Sequence, residues 1–131
     1  MSNKLRRDPA KTAGFIHPVR QALDALALGK VSPEHVVAWS IFAELGRLIA
    51  RARKDVVSQE AAARMAGMMQ DVLAECGIDE DSLVILNRDF VRLAARIRMT
   101  PAAEIDRHII TLSIMARLKS PLLSWERSSE K

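Results

Sequence analysis

The sequence of 131 residues predicts an all-α fold, a single-domain bundle of about five helices around a central two-faced helix. Three observations carry that reading. Apolar residues recur at three- and four-residue spacing in five successive segments; no segment alternates in the way a half-buried strand does; and helix start and stop residues bound the segments. No internal repeat or low-complexity run interrupts them.

Residues 1–15 show no helical period, contain Pro9 and Gly14, and read as a flexible basic arm, leaving 16–131 as the bundle domain. A first helix is expected from Pro18, with Val19, Ala22, Leu23, Leu26 and Ala27 at helical spacing and Gly29 as its stop. The central helix follows from Ser32 to Lys54. Ser32 can cap free amides, and Pro33 loses nothing at the first helical position. The same pairing recurs at Thr100-Pro101 and Ser120-Pro121, where two more helices are expected to open.

At about 100° per residue, Val37, Ala38, Ile41, Phe42, Leu45, Leu48, Ile49 and Ala52 share one arc of the central helix and are expected to face a core. A second ridge sets one large ring, Trp39, beside the small residues Ala43, Gly46 and Ala50. A helix apolar on most sides is enclosed from two directions. The third helix is expected over 58–76, ending at Gly77, with Ala61, Ala62, Met65, Met68, Met69, Val72, Leu73 and Cys76 inward. Gly46 and Gly67 stand inside helical patterns, where glycine costs up to about 1 kcal/mol against alanine. Close approach of another helix is the expected reason at both.

After the acidic turn Asp79 to Asp81, a fourth helix turns Leu83, Leu86, Phe90, Leu93, Ala94 and Ile97 inward and stacks Arg88, Arg92 and Arg96 on its far side. The fifth, 101–118, is two-sided: Ile105, Ile109, Leu112 and Ala116 face one way, Ile110, Ile114 and Leu118 another. A brief last helix is expected to hold Leu122, Leu123 and Trp125.

Twenty basic and 16 acidic side chains leave a net charge of +4, unevenly spread. Residues 55–82 carry seven acidic groups against Arg64 alone, a net of −6, between two basic regions. The acidic third can neutralise the basic parts within the fold, or the basic parts can attract polyanions. A lone cysteine, Cys76, fits a reducing compartment, and with no long apolar run the expectation is a cytoplasmic chain without membrane contact.

Catalytic chemistry has little to build on. His17, His35 and His108 fall at three separate helix starts, with no HExxH, CxxC, phosphate loop or GxSxG pattern. Glu104 and His108, one turn apart, suit a helix start better than a metal, which needs further ligands. The expectation is therefore a non-enzymatic chain with no catalytic residues, metal, cofactor or small-molecule substrate.

Two binding roles remain. The first is that of a small accessory or regulatory protein acting through protein contacts, expected as a homodimer, with Trp39, Ala43, Gly46, Ile110, Ile114, Leu118 and Trp125 as contact residues because they exceed what one core covers. The second is nucleic-acid binding through arginine stripes, Arg47 with Arg51 and Arg88 with Arg92 and Arg96, helped by the basic arm. Residues 59–76 also have helix-turn-helix spacing, with Gly67 at the turn. Its reading helix would present Asp71 and Glu75 and no positive charge, and the segment reads equally as one unbroken helix.

Overall fold

The computed structural model describes residues 6–74 and 78–119, the side chains of 117–119 excepted, and these form five helices without a strand. They are α1 (Pro9–Ala27), α2 (Pro33–Ala52), α3 (Val56–Leu73), α4 (Glu80–Arg98) and α5 (Ala102–Lys119). The central helix is α2, which touches all four others.

Four of the helix starts have a local cause. Asp8, Ser32, Asp55 and Asp79 accept a hydrogen bond from the backbone amide three residues on, filling one of the donors that a helix leaves open at its first turn. His35 returns the bond to the Ser32 amide at 3.0 Å, closing a capping box in which an imidazole stands where Glu or Gln is usual. Helix ends are equally explicit. After α1, Gly29 takes φ 70°, and the amides of Gly29 and Lys30 reach back to Leu26 and Ala25. After α2 the same reversal is made by Lys54 at φ 56°, with Asp55 donating to the Ala50 carbonyl at 2.8 Å.

Two helix starts depart from the sequence-based expectation. The flexible arm expected over 1–15 gives way to helix from Pro9, because Asp8-Pro9 is a capping residue followed by proline, like Ser32-Pro33; Pro18 stands inside α1. Its missing amide deprives the Gly14 carbonyl of a helical partner, and Gly14 is exposed, so water can replace it. Thr100 does not cap α5: its hydroxyl donates to the Arg96 carbonyl at 2.7 Å and completes the end of α4. Ser120-Pro121 and the expected last helix lie outside the described residues, as do Cys76 and Gly77.

The core is built on the small-residue side of α2. Trp39, Phe42, Ala43, Leu45, Gly46, Ile49 and Ala50 are buried, against Ala61, Ala62 and Met65 of α3 and Leu86, Phe90, Leu93 and Ile97 of α4. The Trp39 indole donates to the Met65 carbonyl at 2.9 Å, and the Phe42 and Phe90 rings stack 5.3 Å apart. Part of the arc expected to face a core looks outward instead: Val37 is 58% and Ile41 41% exposed, and Ala52 is exposed. Between α3 and α4, the guanidinium of Arg64 grips the buried carboxylate of Asp89 with two hydrogen bonds of 2.9 and 3.0 Å, which raises the Arg64 pKa above its ordinary value.

Helix α5 runs antiparallel to α2. Its first turn meets the end of α2 through Arg53 and Glu104 at 3.1 Å, and its later residues Leu112, Met115 and Ala116 lie beside Ser40, Ile41 and Glu44. The start of α5 is also tied to α1, by Lys11 to Asp106 and by the Ala102 amide to the Arg6 carbonyl at 2.9 Å.

The two helical glycines separate. A Cβ built on Gly46 would meet Leu93 Cδ2 at 3.0 Å, whereas one on Gly67 meets nothing within 4 Å. Close approach explains the first and not the second. Gly67→Ala is accordingly expected to raise stability by about 0.5–1 kcal/mol through helix propensity, and Gly46→Val to lower it by about 1–3 kcal/mol through overpacking. Urea unfolding midpoints at unchanged slope provide the measurement.

Candidate functional site

Part of the apolar surface left open by the bundle lies along one side of α2. Val37 and Ile41 are its exposed apolar residues. On the α1 side they join Gly14, Phe15, Pro18 and Pro33 in a groove of about 520 Å³. On the α5 side Ile41 also lines a smaller groove of about 190 Å³ with Leu112 and Met115. Sharing Ile41, the two grooves make one trough with α2 as floor and α1 and α5 as walls. On the face of α5 opposite Leu112 and Ala116, Ile110 and Ile114 are 60% and 52% exposed and form an isoleucine ridge.

The expected contact residues therefore divide. Ile110 and Ile114 are at the surface, but Trp39, Ala43 and Gly46 are buried inside the chain, with relative exposures of 1% and 2% for the first two, and their assignment to a partner surface is withdrawn. The physical reason is the rotation of α2: its small residues admit α3 and α4 closely, and Trp39 finds a hydrogen-bond acceptor there. The Leu118 side chain and Trp125 lie outside the described residues. Sequence reasoning missed Val37 and Ile41, assigned to the core arc, and Phe15 and Pro18 as the facing wall. Their apolar character was visible; the side of α2 that would stay open was not.

The arginine stripes also change meaning. Arg47 reaches Glu44 at 2.8 Å, Arg96 reaches Asp55 at 2.6 Å, and Arg88 lies 3.7 Å from Asp89, which Arg64 already holds. Arg51 and Arg92 make no ion pair among the described residues, so the stripes are partly neutralised within the fold. The helix-turn-helix spacing over 59–76 does not correspond to a turn, because α3 runs unbroken through Gly67.

Glu104 and His108 face each other across 3.6 Å, and neither Glu104 Oε2 nor His108 Nε2 finds a hydrogen-bond partner among the described residues. The other carboxylate oxygen accepts from Arg53. Among the described residues no group of three or more His, Cys, Asp or Glu side chains is placed to hold a metal ion, and no helix is long and apolar enough to cross a membrane.

Asp55 joins three helices through its hydrogen bonds. Its carboxylate accepts from the Ser58 hydroxyl at 2.6 Å and the Ser58 amide at 3.1 Å, and from Arg96 at 2.6 Å. The hydrogen bonds from Ser58, followed by the charge of Arg96, hold its pKa below the ordinary aspartate value.

With this geometry in hand, known proteins offer no guide. No family model, no curated protein and no solved structure matches this chain.

A depressed carboxylate makes the unfolded chain the better proton binder, so its contribution is complete above the ordinary value of 3.8 and is lost as the pH falls through the lower folded value. Asp55→Asn keeps the cap and removes the charge. The variant is expected to be less stable than the parent at neutral pH, with the gap closing below about pH 4; thermal melts across the acid range measure it.

Proposed function

We propose that this chain is a non-enzymatic accessory or regulatory protein that works through protein contacts on the α1–α2–α5 trough, and that a second copy of itself is the partner. The observation that carries the reading is the pairing of a trough with a ridge on one molecule. Val37 and Ile41 line a concave apolar surface, and Ile110 and Ile114 stand out on the outer face of α5 as a convex one. A two-fold axis forms such a contact twice, ridge into trough and trough over ridge, and closes the assembly without an open end.

The energetics support the same reading. Each exposed branched side chain that becomes fully covered contributes about 1.5–3 kcal/mol at most, so four of them on each copy supply a meaningful part of an interface. Contiguous apolar surface of this kind is characteristic of association sites. Charge plays a minor part along the trough. Glu34, on its rim, is fully exposed, and hydrogen bonding at the α2 start and to Ser32 lowers its pKa.

The ion pairs that occupy Arg47 and Arg96 make the stripes a weaker basis for function than the trough. Sedimentation equilibrium or light scattering tests the proposal. The full chain is expected at twice its 14.6 kDa mass, nearly unaffected by salt. Ile114→Asp or Val37→Asp, both at exposed positions, is expected to yield a folded monomer. A parent chain that stays monomeric at about millimolar concentration, above the millimolar-to-micromolar range of weak association, overturns the second copy as partner.

A further inference from the structure

On the flank of α1 away from the trough, two clefts meet at Met99. One, of about 490 Å³, lies between α1 and the end of α4 and is lined by Arg7, His17 and Arg98 together with Pro9, Ala13 and Ile16. The other, of about 420 Å³, runs along the outer face of α4 and is lined by Arg88, Arg92 and Arg96 with Val91 and Ala95. Five arginines and a histidine line the joined surface, and no acidic side chain does. The acids closest to it are already engaged: Asp55 holds Arg96, Asp89 holds Arg64 and stands 3.7 Å from Arg88, and Asp8 caps α1. Arg7, Arg92 and Arg98 form no ion pair among the described residues.

We infer that these joined clefts are a binding site for the phosphodiester backbone of a single-stranded nucleic acid. Three arginines free of acids are three phosphate contacts of the forked, delocalised kind that suits phosphate oxygens. The concave cleft between α1 and the end of α4 opens at Met99 onto the arginine-lined outer face of α4, so that one strand can enter the cleft and continue along that face. Exposed Met99 and Val91, at 56% and 57%, give unstacked bases an apolar surface next to the cations. The site differs from the one the arginine spacing suggested. Arg47 and Arg51 line neither cleft, and Arg7, His17 and Arg98 enter only because α1 packs beside α4.

The site is independent of the dimer. On α1 the trough residues Gly14, Phe15 and Pro18 and the cleft residues Pro9, Ala13, Ile16 and His17 occupy opposite faces at 100° per residue.

Fluorescence anisotropy of a labelled oligothymidine of about 15 nucleotides with the full chain is the test. With three phosphate contacts the salt slope is expected near −2, a loss of roughly fifteenfold in affinity between about 50 and 200 mM salt. Arg92→Ala with Arg98→Ala is expected to lose at least about tenfold and most of that slope, while Arg92→Lys with Arg98→Lys keeps most of the binding and controls for folding. Arg47→Ala with Arg51→Ala leaves binding unchanged, and so does Ile114→Asp, which separates this outcome from failure of the dimer. Absence of binding at the lower salt, equal loss in the Arg47 and Arg51 variant, or binding that ignores salt overturns the assignment.

Discussion

The contact between Gly46 and Leu93 sets the rotation of the central helix, and much of the molecule follows from it. With no side chain at position 46, the buried Leu93 of α4 comes within 3.0 Å of where a Cβ would stand. The same face carries Trp39, whose indole needs an acceptor when buried and finds it in the Met65 carbonyl of α3. Once this side of α2 is turned toward α3 and α4, Val37 and Ile41 must face the other way. The helices on that side, α1 and α5, stand far enough apart to leave them open.

A second organising point is electrostatic and sits where three helices meet. Asp55 donates its amide to the last turn of α2, caps α3 through Ser58, and holds Arg96 of α4. The reversal before it is made by Lys54 in the left-handed region, an uncommon conformation for a residue with a Cβ. The bonds Asp55 makes on both sides help hold the backbone there. Part of the acidic third is thus absorbed inside the fold by an arginine of α4, as the pair Asp55–Arg96 shows. What remains basic is displaced toward the junction of α1 with α4.

The outcome is a molecule whose two unusual surfaces lie on opposite flanks of α1, one apolar and one cationic. They obey different physics. Burial of branched side chains is indifferent to salt, whereas attraction to phosphates depends on it strongly. An apolar contact between copies would set cationic clefts on both subunits of one assembly, so the proposed dimer and the inferred nucleic-acid site are compatible without sharing a residue.

The sequence by itself determined the fold class and most helix ends, because these depend on neighbours within one turn: apolar spacing, capping side chains, proline at a first position and glycine beyond a last one. Even its errors were local, as where Asp8-Pro9 rather than Pro18 opens α1 and Thr100 closes α4 instead of capping α5. Inward faces were legible on α4, whose charged and apolar sides differ sharply. On α2 they were not, because nearly every side is apolar, and only the arrival of Leu93 and Met65 decided which residues would be covered. Tertiary structure alone brought Phe15 opposite Val37 and gathered Arg7, His17 and Arg98 beside Arg92. Periodicity orders residues around one helix axis and carries no information about which other axis packs against it.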